Sequence, residues 1–242
     1  MEIIEIDQIN IGIICASDTE LEPFLSNMTN TTQVEKSMLK FHIGKIGEVS
    51  VVAVYSGVCK TNSAIATQIL IDNFKCTHII NSGTSGGMNE TIGLFDTIIS
   101  SEVAYWDVDE GILTEYHPWL DSIYFKADTY LLKLAGLTIS KSDLYETMYI
   151  GRIVSGESFI EDDFRYEINE HFSPLCVDME SASIAHTCYV NKIPFISVRT
   201  VTDTESHLGK KVFLLNCAQA SKLSANFVLS MIRELIEDIS SK

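Results

Sequence analysis

The sequence predicts an α/β fold, and three observations carry that prediction. Short apolar runs bounded by turn signals alternate with segments of helical spacing along the whole chain. Leu175-Cys-Val-Asp-Met-Glu-Ser-Ala-Ser-Ile-Ala-His186 reads as a strand that runs straight into a helix, with Asp178 and Glu180 at the junction. Pro194-Phe-Ile-Ser-Val-Arg-Thr-Val-Thr-Asp203 reads as a second strand that ends on another carboxylate. In an open α/β sheet, ligands bind outside the carboxyl ends of the strands, so both acidic groups are expected at a site.

The elements follow in order. Asn10-Ile-Gly-Ile-Ile-Cys-Ala16 is a buried strand, and Ser17-Asp-Thr-Glu20 has the form of a capping box. Residues 38–46 and 49–56 are two strands around Gly47, a hairpin. Residues 61–74 have helical spacing, with Ile65, Ile69 and Leu70 on one side. Residues 77–81 form a strand, and Gly83-Thr-Ser-Gly-Gly87 is expected to be a turn. Residues 96–104 form the next strand. Residues 106–125, with both tryptophans and Pro118, have no clear structure, and a loop of that length suggests function or an interface. A helix over 127–136, a strand over 148–154 and a short helix over 162–170 lead into the two strands above. A helix over 181–191 separates those strands, and an amphipathic helix over 214–239 closes the chain. No linker, repeat or low-complexity tract interrupts the sequence, so residues 1–242 are expected to be one domain.

Composition removes several function classes. Seventeen Lys and Arg against 33 Asp and Glu give a net charge of −16, which argues against nucleic acid and anionic membrane as partners. No apolar run approaches the roughly 18 residues that span a bilayer. The start, Met1-Glu-Ile-Ile-Glu-Ile-Asp-Gln8, lacks a basic region of the secretory type. Six cysteines show no CxxC spacing, so reduced thiols in a cytoplasmic protein are expected. Cys59 has no visible catalytic partner. The six histidines form no HxH or HxxxH pair, and no metal site is expected.

Each candidate site residue also has an ordinary structural reading. Glu20 is a normal capping residue at the third helical position, or a carboxylate at the end of the first strand. The glycines at 83, 86 and 87 serve a plain turn, or let backbone approach a ligand. The segment is neither a P-loop nor a dinucleotide fingerprint. Phe159, in Ser155-Gly-Glu-Ser-Phe-Ile160, is core or a stacking platform for a flat ring. Asp203 caps a turn or does chemistry. Glu180 is harder to dismiss, because Val-Asp-Met-Glu wants burial and a buried carboxylate needs partners. Arg199, four residues before Asp203, can supply one.

Together these segments resemble the 5′-methylthioadenosine/S-adenosylhomocysteine nucleosidases, within the purine nucleoside phosphorylase superfamily. The resemblance runs nearly end to end. It rests on Ile11-Gly-Ile-Ile-Cys-Ala16 with Glu20, Ser56-Gly-Val-Cys-Lys60, Ile80-Asn-Ser-Gly-Thr-Ser-Gly-Gly87, Phe125-Lys-Ala-Asp128, Ile153-Val-Ser-Gly-Glu-Ser-Phe-Ile160, Val177-Asp-Met-Glu180 and Val198-Arg-Thr-Val-Thr-Asp203. It implies a three-layer α/β/α sandwich around a central mixed β-sheet, a homodimer, and cleavage of an adenine–ribose bond by water without a cofactor. It implies that Asp203 protonates adenine N7, Glu20 activates the water, Glu180 with Met179 binds the ribose hydroxyls, and Arg199 orients the acids. Phe159 is then the adenine stack, the Ile160 backbone reads the base edge, and Val58, Thr84, Ser85 and Gly86 surround the sugar. The sequence departs from the family pattern in four places: Thr84-Ser85-Gly86 stands where many relatives have Ser-Ala-Gly, Trp106 stands where a His is common, the segment after Asp203 is short, and Lys210 falls where relatives place an aromatic residue against the 5′ group, with Phe213 nearby. Two other readings remain on the same fold: a phosphate-dependent nucleoside phosphorylase, and a non-catalytic nucleoside-binding protein. A phosphorylase is expected to gather arginines around phosphate, and none flanks the glycine segment here.

Overall fold

The computed structural model describes residues 8–117, 120–141, 147–160, 162–207 and 209–241. Pro118, Trp119 and the first seven residues, which entered the sequence reading, lie outside the described residues. The elements run β1 (Asn10–Cys15), α1 (Asp18–Leu25), β2 (Thr29–Lys36), β3 (Leu39–Ile46), β4 (Val49–Tyr55), α2 (Lys60–Asp72), β5 (His78–Gly87), β6 (Thr97–Tyr105), α3 (Glu110–Tyr116), β7 (Phe125–Lys126), α4 (Thr129–Lys141), β8 (Met148–Ser155), α5 (Asp162–Phe172), β9 (Cys176–Asp178), α6 (Ser181–Asn191), β10 (Phe195–Asp203) and α7 (Lys210–Ser240).

The layers follow from period-two alternation in strands buried on both faces. In β1, Ile11 and Ile13 face the same side as Val49 and Val51 of β4 and pack with Val228, Met231 and Ile232 of α7. Ile14, with Val52 and Val54, faces the other side and joins a core that includes Leu70 of α2 and Ile184 of α6. The result is a three-layer α/β/α sandwich around a mixed sheet. No helix among the described residues is long and apolar enough to cross a membrane.

The topology departs from an open sheet. β5 pairs in parallel with β10, and β10 pairs antiparallel with β6. β6 and β8 are parallel, as are β8 and β9. β9 then returns antiparallel to the end of β5, through Gly86 opposite Val177 and Gly87 opposite Cys176. These five strands close into a ring, from which β1, β4, β3 and β2 extend as a wing. Asp178 and Asp203 do end their strands, as expected, but those strands are not parallel neighbours. β9 runs against β5 and β10, and ring closure brings its end to theirs.

Four further expectations change. Gly83-Thr-Ser-Gly-Gly87 is the second half of β5, paired with β10 through residue 86, and is no turn. The stretch 106–125 contains α3, and Leu113, Leu120, Ile123 and Phe125 of that stretch are buried. β2 is an additional antiparallel strand on β3. The closing helix begins at Lys210, one turn earlier than its apolar spacing indicates.

Candidate active site

Glu20 is cap and cavity residue at once. The Glu20 amide donates to the Ser17 hydroxyl at 3.3 Å, and Glu20 Oε2 accepts from the Ser17 amide at 3.2 Å and the Ala16 amide at 2.8 Å. Its other oxygen, Oε1, crosses to β5 and accepts from the amide and hydroxyl of Thr84 at 2.8 and 2.9 Å. Gly83 permits that approach. A Cβ there would lie 2.6 Å from Glu20 Oε1 and 2.6 Å from Arg199 Nη1. The glycine is required by contact with charged side chains rather than by a turn.

The two acids around Met179 divide their work. Asp178 Oδ1 accepts from the amides of Glu180 and Ser181 at 3.2 and 3.1 Å, capping α6. The Asp178 carboxylate also accepts from the hydroxyls of Ser155 and Ser181. That leaves Glu180 free of capping, and its carboxylate faces the cavity. Arg199, 1% exposed, bridges both acids: Nε lies 2.7 Å from Asp178 Oδ2 and Nη2 lies 3.1 Å from Glu180 Oε2. Burial pushes the Glu180 carboxyl up to about 7; Arg199 opposes this, and Asp178 adds to it. Burial disfavours the charged guanidinium of Arg199, but Asp178 and Glu180 more than reverse this, and its pKa is raised.

Asp203 ends β10 just after a register shift between Val201 and Asp203. It is 3% exposed, and burial raises its pKa, opposed by a 2.7 Å bond from the Thr202 hydroxyl and by the charge of Arg165. The Thr202 carbonyl is fixed in turn by Asn216 Nδ2 of α7 at 2.8 Å.

All the residues picked from sequence line one cavity of about 530 Å³: Glu20, Glu180, Arg199 and Asp203 among its charged groups, Val58, Thr84, Ser85, Gly86 and Met179 around them, and Phe159 with Ile160. That volume lies within the usual range for small-ligand sites. Phe159 is half-exposed and meets Phe213 edge to face at 6.1 Å. Lys210 and Phe213 both line the same cavity.

Residues 10–233 match the model of the phosphorylase superfamily. The 5′-methylthioadenosine/S-adenosylhomocysteine nucleosidase of Staphylococcus haemolyticus is 35% identical over 230 residues, covering 93% of this chain and 100% of that protein. The chain belongs to this nucleosidase family. A Streptococcus pneumoniae nucleosidase, solved with the transition-state inhibitor MT-ImmA, superposes with a TM-score of 0.86 at 29% identity, covering 94% of this chain and 100% of that one. A putative nucleosidase from Borrelia burgdorferi, bound to adenine, superposes with a TM-score of 0.84 at 32% identity, covering 92% of this chain and 99% of that one.

Within this nucleosidase fold the structure adds residues that sequence reasoning missed. Arg165 of α5 is 4% exposed and lines the cavity. Its Nη1 donates to the Gly87 carbonyl, while Nε and Nη2 have no hydrogen-bond partner among the described residues. The segment Asp-Asp-Phe-Arg-Tyr-Glu reads as a solvated helix, so nothing in it signals a buried guanidinium. Cys59 contributes its backbone: its amide donates to Glu180 Oε1 at 3.0 Å. Its thiol pKa is raised, by burial and then by Glu157 and Glu180, which keeps the proton on sulfur. Trp106 packs on Gly156, where any Cβ would lie 2.2 Å from the indole nitrogen.

Proposed function

We propose that this chain hydrolyses the N-glycosidic bond of 5′-methylthioadenosine, S-adenosylhomocysteine or both, releasing adenine and a 5-thioribose derivative. The observation that carries the reading is the convergence of Glu20, Glu180 and Asp203 in one cavity of a nucleosidase-family chain. Water attacks C1′, and Glu20 takes its proton. The C1′–N9 electron pair leaves with the base, and Asp203 protonates N7 so that adenine departs neutral. Burial raises Asp203, which favours the protonated form an acid must start from. The ribose develops oxocarbenium character, which the carboxylates stabilise. Glu180, held by Arg199, accepts from the ribose hydroxyls. Phe159 stacks on adenine and the Ile160 backbone reads its edge.

Glu20 and Glu180 repel a phosphate dianion, and Arg199 is already paired with Asp178 and Glu180, which disfavours phosphate as the nucleophile although Arg165 lines the same cavity. Adenine release assayed without phosphate tests the reading. Turnover in phosphate-free buffer supports it. Strict dependence on added phosphate identifies a phosphorylase, and tight nucleoside binding without release identifies a binding protein. The chain is further proposed to act as a single domain over 1–242, without a cofactor, as a cytoplasmic homodimer. Ile112 and Tyr116 on α3 are 57% and 78% exposed, which supports an interface there. A monomer by light scattering at micromolar concentration overturns the dimer.

A further inference from the structure

The junction between β4 and α2 holds a strained residue that the roles above do not explain. Cys59 has φ 83° and ψ 164°, a backbone region essentially confined to glycine. The other described non-glycine residues of positive φ lie between 45° and 68°. Such a conformation persists only where its surroundings over-determine it.

Those surroundings sit on the next residue. The Lys60 amide donates to Glu157 Oε1 at 3.1 Å, and Lys60 Nζ donates to both oxygens of Asp107 at 2.9 Å. The Glu157 amide donates to Asp107 Oδ2 at 2.9 Å. Asp107 therefore ties the ends of β4, β6 and β8 together. Trp106 seated on Gly156 brings the Asp107 and Glu157 segments to that meeting point. On the far side, the Cys59 carbonyl accepts from the Ser63 amide at 3.2 Å and the Ser63 hydroxyl at 3.1 Å. Held from both sides, the Cys59 amide points at Glu180. Lys60, Asp107 and Glu157 do not themselves line the cavity.

We propose that the Lys60–Asp107–Glu157 clamp positions the ribose-binding carboxylate, holding Cys59 in its strained conformation so that its amide stays on Glu180 Oε1. Asp107 is thus a positioning residue. The proposal rests on the reading of Glu180 as the ribose ligand. Arg199 fixes one oxygen of that carboxylate and the Cys59 amide fixes the other, so loss of the amide leaves the group free to turn. The charged groups that act on Glu180 are Arg199, Asp178 and Glu20. The amide of Cys59 lowers the Glu180 pKa, so its loss moves the acid limb of kcat/KM to higher pH.

The test compares wild type with Asp107→Asn and Glu157→Gln, each checked for folding by circular dichroism. A hydrogen bond to a charged group contributes enough to make the expected loss in kcat/KM about tenfold on the ribonucleoside. The loss should shrink to about twofold or less on the 2′,3′-dideoxy analogue, which lacks both ribose hydroxyls for Glu180 to hold. Adding Cys59→Gly to Asp107→Asn should recover most of the loss, because glycine adopts the same conformation without strain. Equal losses on ribo- and dideoxynucleosides, or no recovery in the double variant, overturn the proposal. Amide hydrogen exchange at Cys59 reads the clamp without turnover. Exchange should rise in Asp107→Asn, and unchanged protection there overturns the proposal even if the nucleosidase reading itself fails.

Discussion

Gly83 carries no functional group, yet replacing it with alanine should be among the most damaging small changes in the chain. The new Cβ would lie 2.6 Å from both Glu20 Oε1 and Arg199 Nη1, where ordinary contact begins near 3.4 Å, so about 0.8 Å of movement is needed. Neither neighbour is free to give. Arg199 is tied to Asp178 at 2.7 Å, and Glu20 accepts from Thr84 at 2.8 Å and Ala16 at 2.8 Å. Stretching such a bond by that amount leaves it near ~3.6 Å, no longer a hydrogen bond. One lost bond to a charged group costs about 1.5–3 kcal/mol, and overpacking a buried site costs a similar ~1–3 kcal/mol. A displacement of about 1 Å at reacting groups lowers turnover by roughly 10²-fold. The assay is adenine release beside thermal unfolding. Gly136→Ala is the internal control. Gly136 lies inside α4, and a Cβ there would meet nothing within 4 Å, so alanine should stabilise by about 1 kcal/mol and leave activity unchanged. Gly83→Ala with turnover within about threefold of wild type would refute the reasoning, since the wedge between the two charges would then be harmless.

Three other outcomes are expected. Asp203→Asn preserves shape but has no proton to give N7, and should lower kcat by about 10²–10⁴-fold in steady-state assays; near wild-type turnover removes Asp203 from the mechanism. Glu180 is raised to about 7, so protonation removes an acceptor from the ribose site as pH falls through that value. A pH profile of kcat/KM should therefore show an acid limb near 7, and a flat profile from pH 5 to 8 counts against Glu180 as the ribose ligand. Lys210 lines the cavity, and an ammonium suits a tail carboxylate better than a thioether. S-adenosylhomocysteine should be preferred over methylthioadenosine, and Lys210→Phe should move the ratio of the two kcat/KM values back; an unchanged ratio assigns Lys210 to the solvent.

Glu180 is legible in the sequence because a carboxylate in an apolar setting is costly unless it is used or paired, and Arg199 is near enough to pair it. Glu20 and Asp203 read alone as caps and gain their roles only from the order and spacing of the motifs around them. The rest is hidden for identifiable reasons. Gly83-Thr-Ser-Gly-Gly87 looks like a turn because glycine is usually read as backbone freedom. Here Gly83 marks space taken by Glu20 and Arg199, which no local pattern encodes. β2, Thr-Asn-Thr-Thr-Gln-Val-Glu-Lys, is exposed throughout and so leaves no apolar alternation to detect. Arg165 sits in a polar helix segment, and only the packing of α5 against Gly87 and Met88 buries it. The direction of β9 is likewise set by pairing with Gly86 and Gly87, since a strand of three residues is too short to announce an orientation.

The ring of β5, β10, β6, β8 and β9 has a mechanical consequence. A strand bonded along both flanks in a closed circuit cannot slide by one step without rupturing two ladders together, and a slip by one residue would turn every side chain to the opposite face. β10, which carries Arg199 and Asp203, is bonded in this way to β5 and β6. The spacing between the arginine and its acids is thus locked to the integrity of the whole circuit. Amides along β10 should exchange only through global opening, whereas β2, at the outer end of the wing, pairs with β3 alone among the described residues and can open without moving β1 or β4, the strands that lead to Glu20 and Cys59.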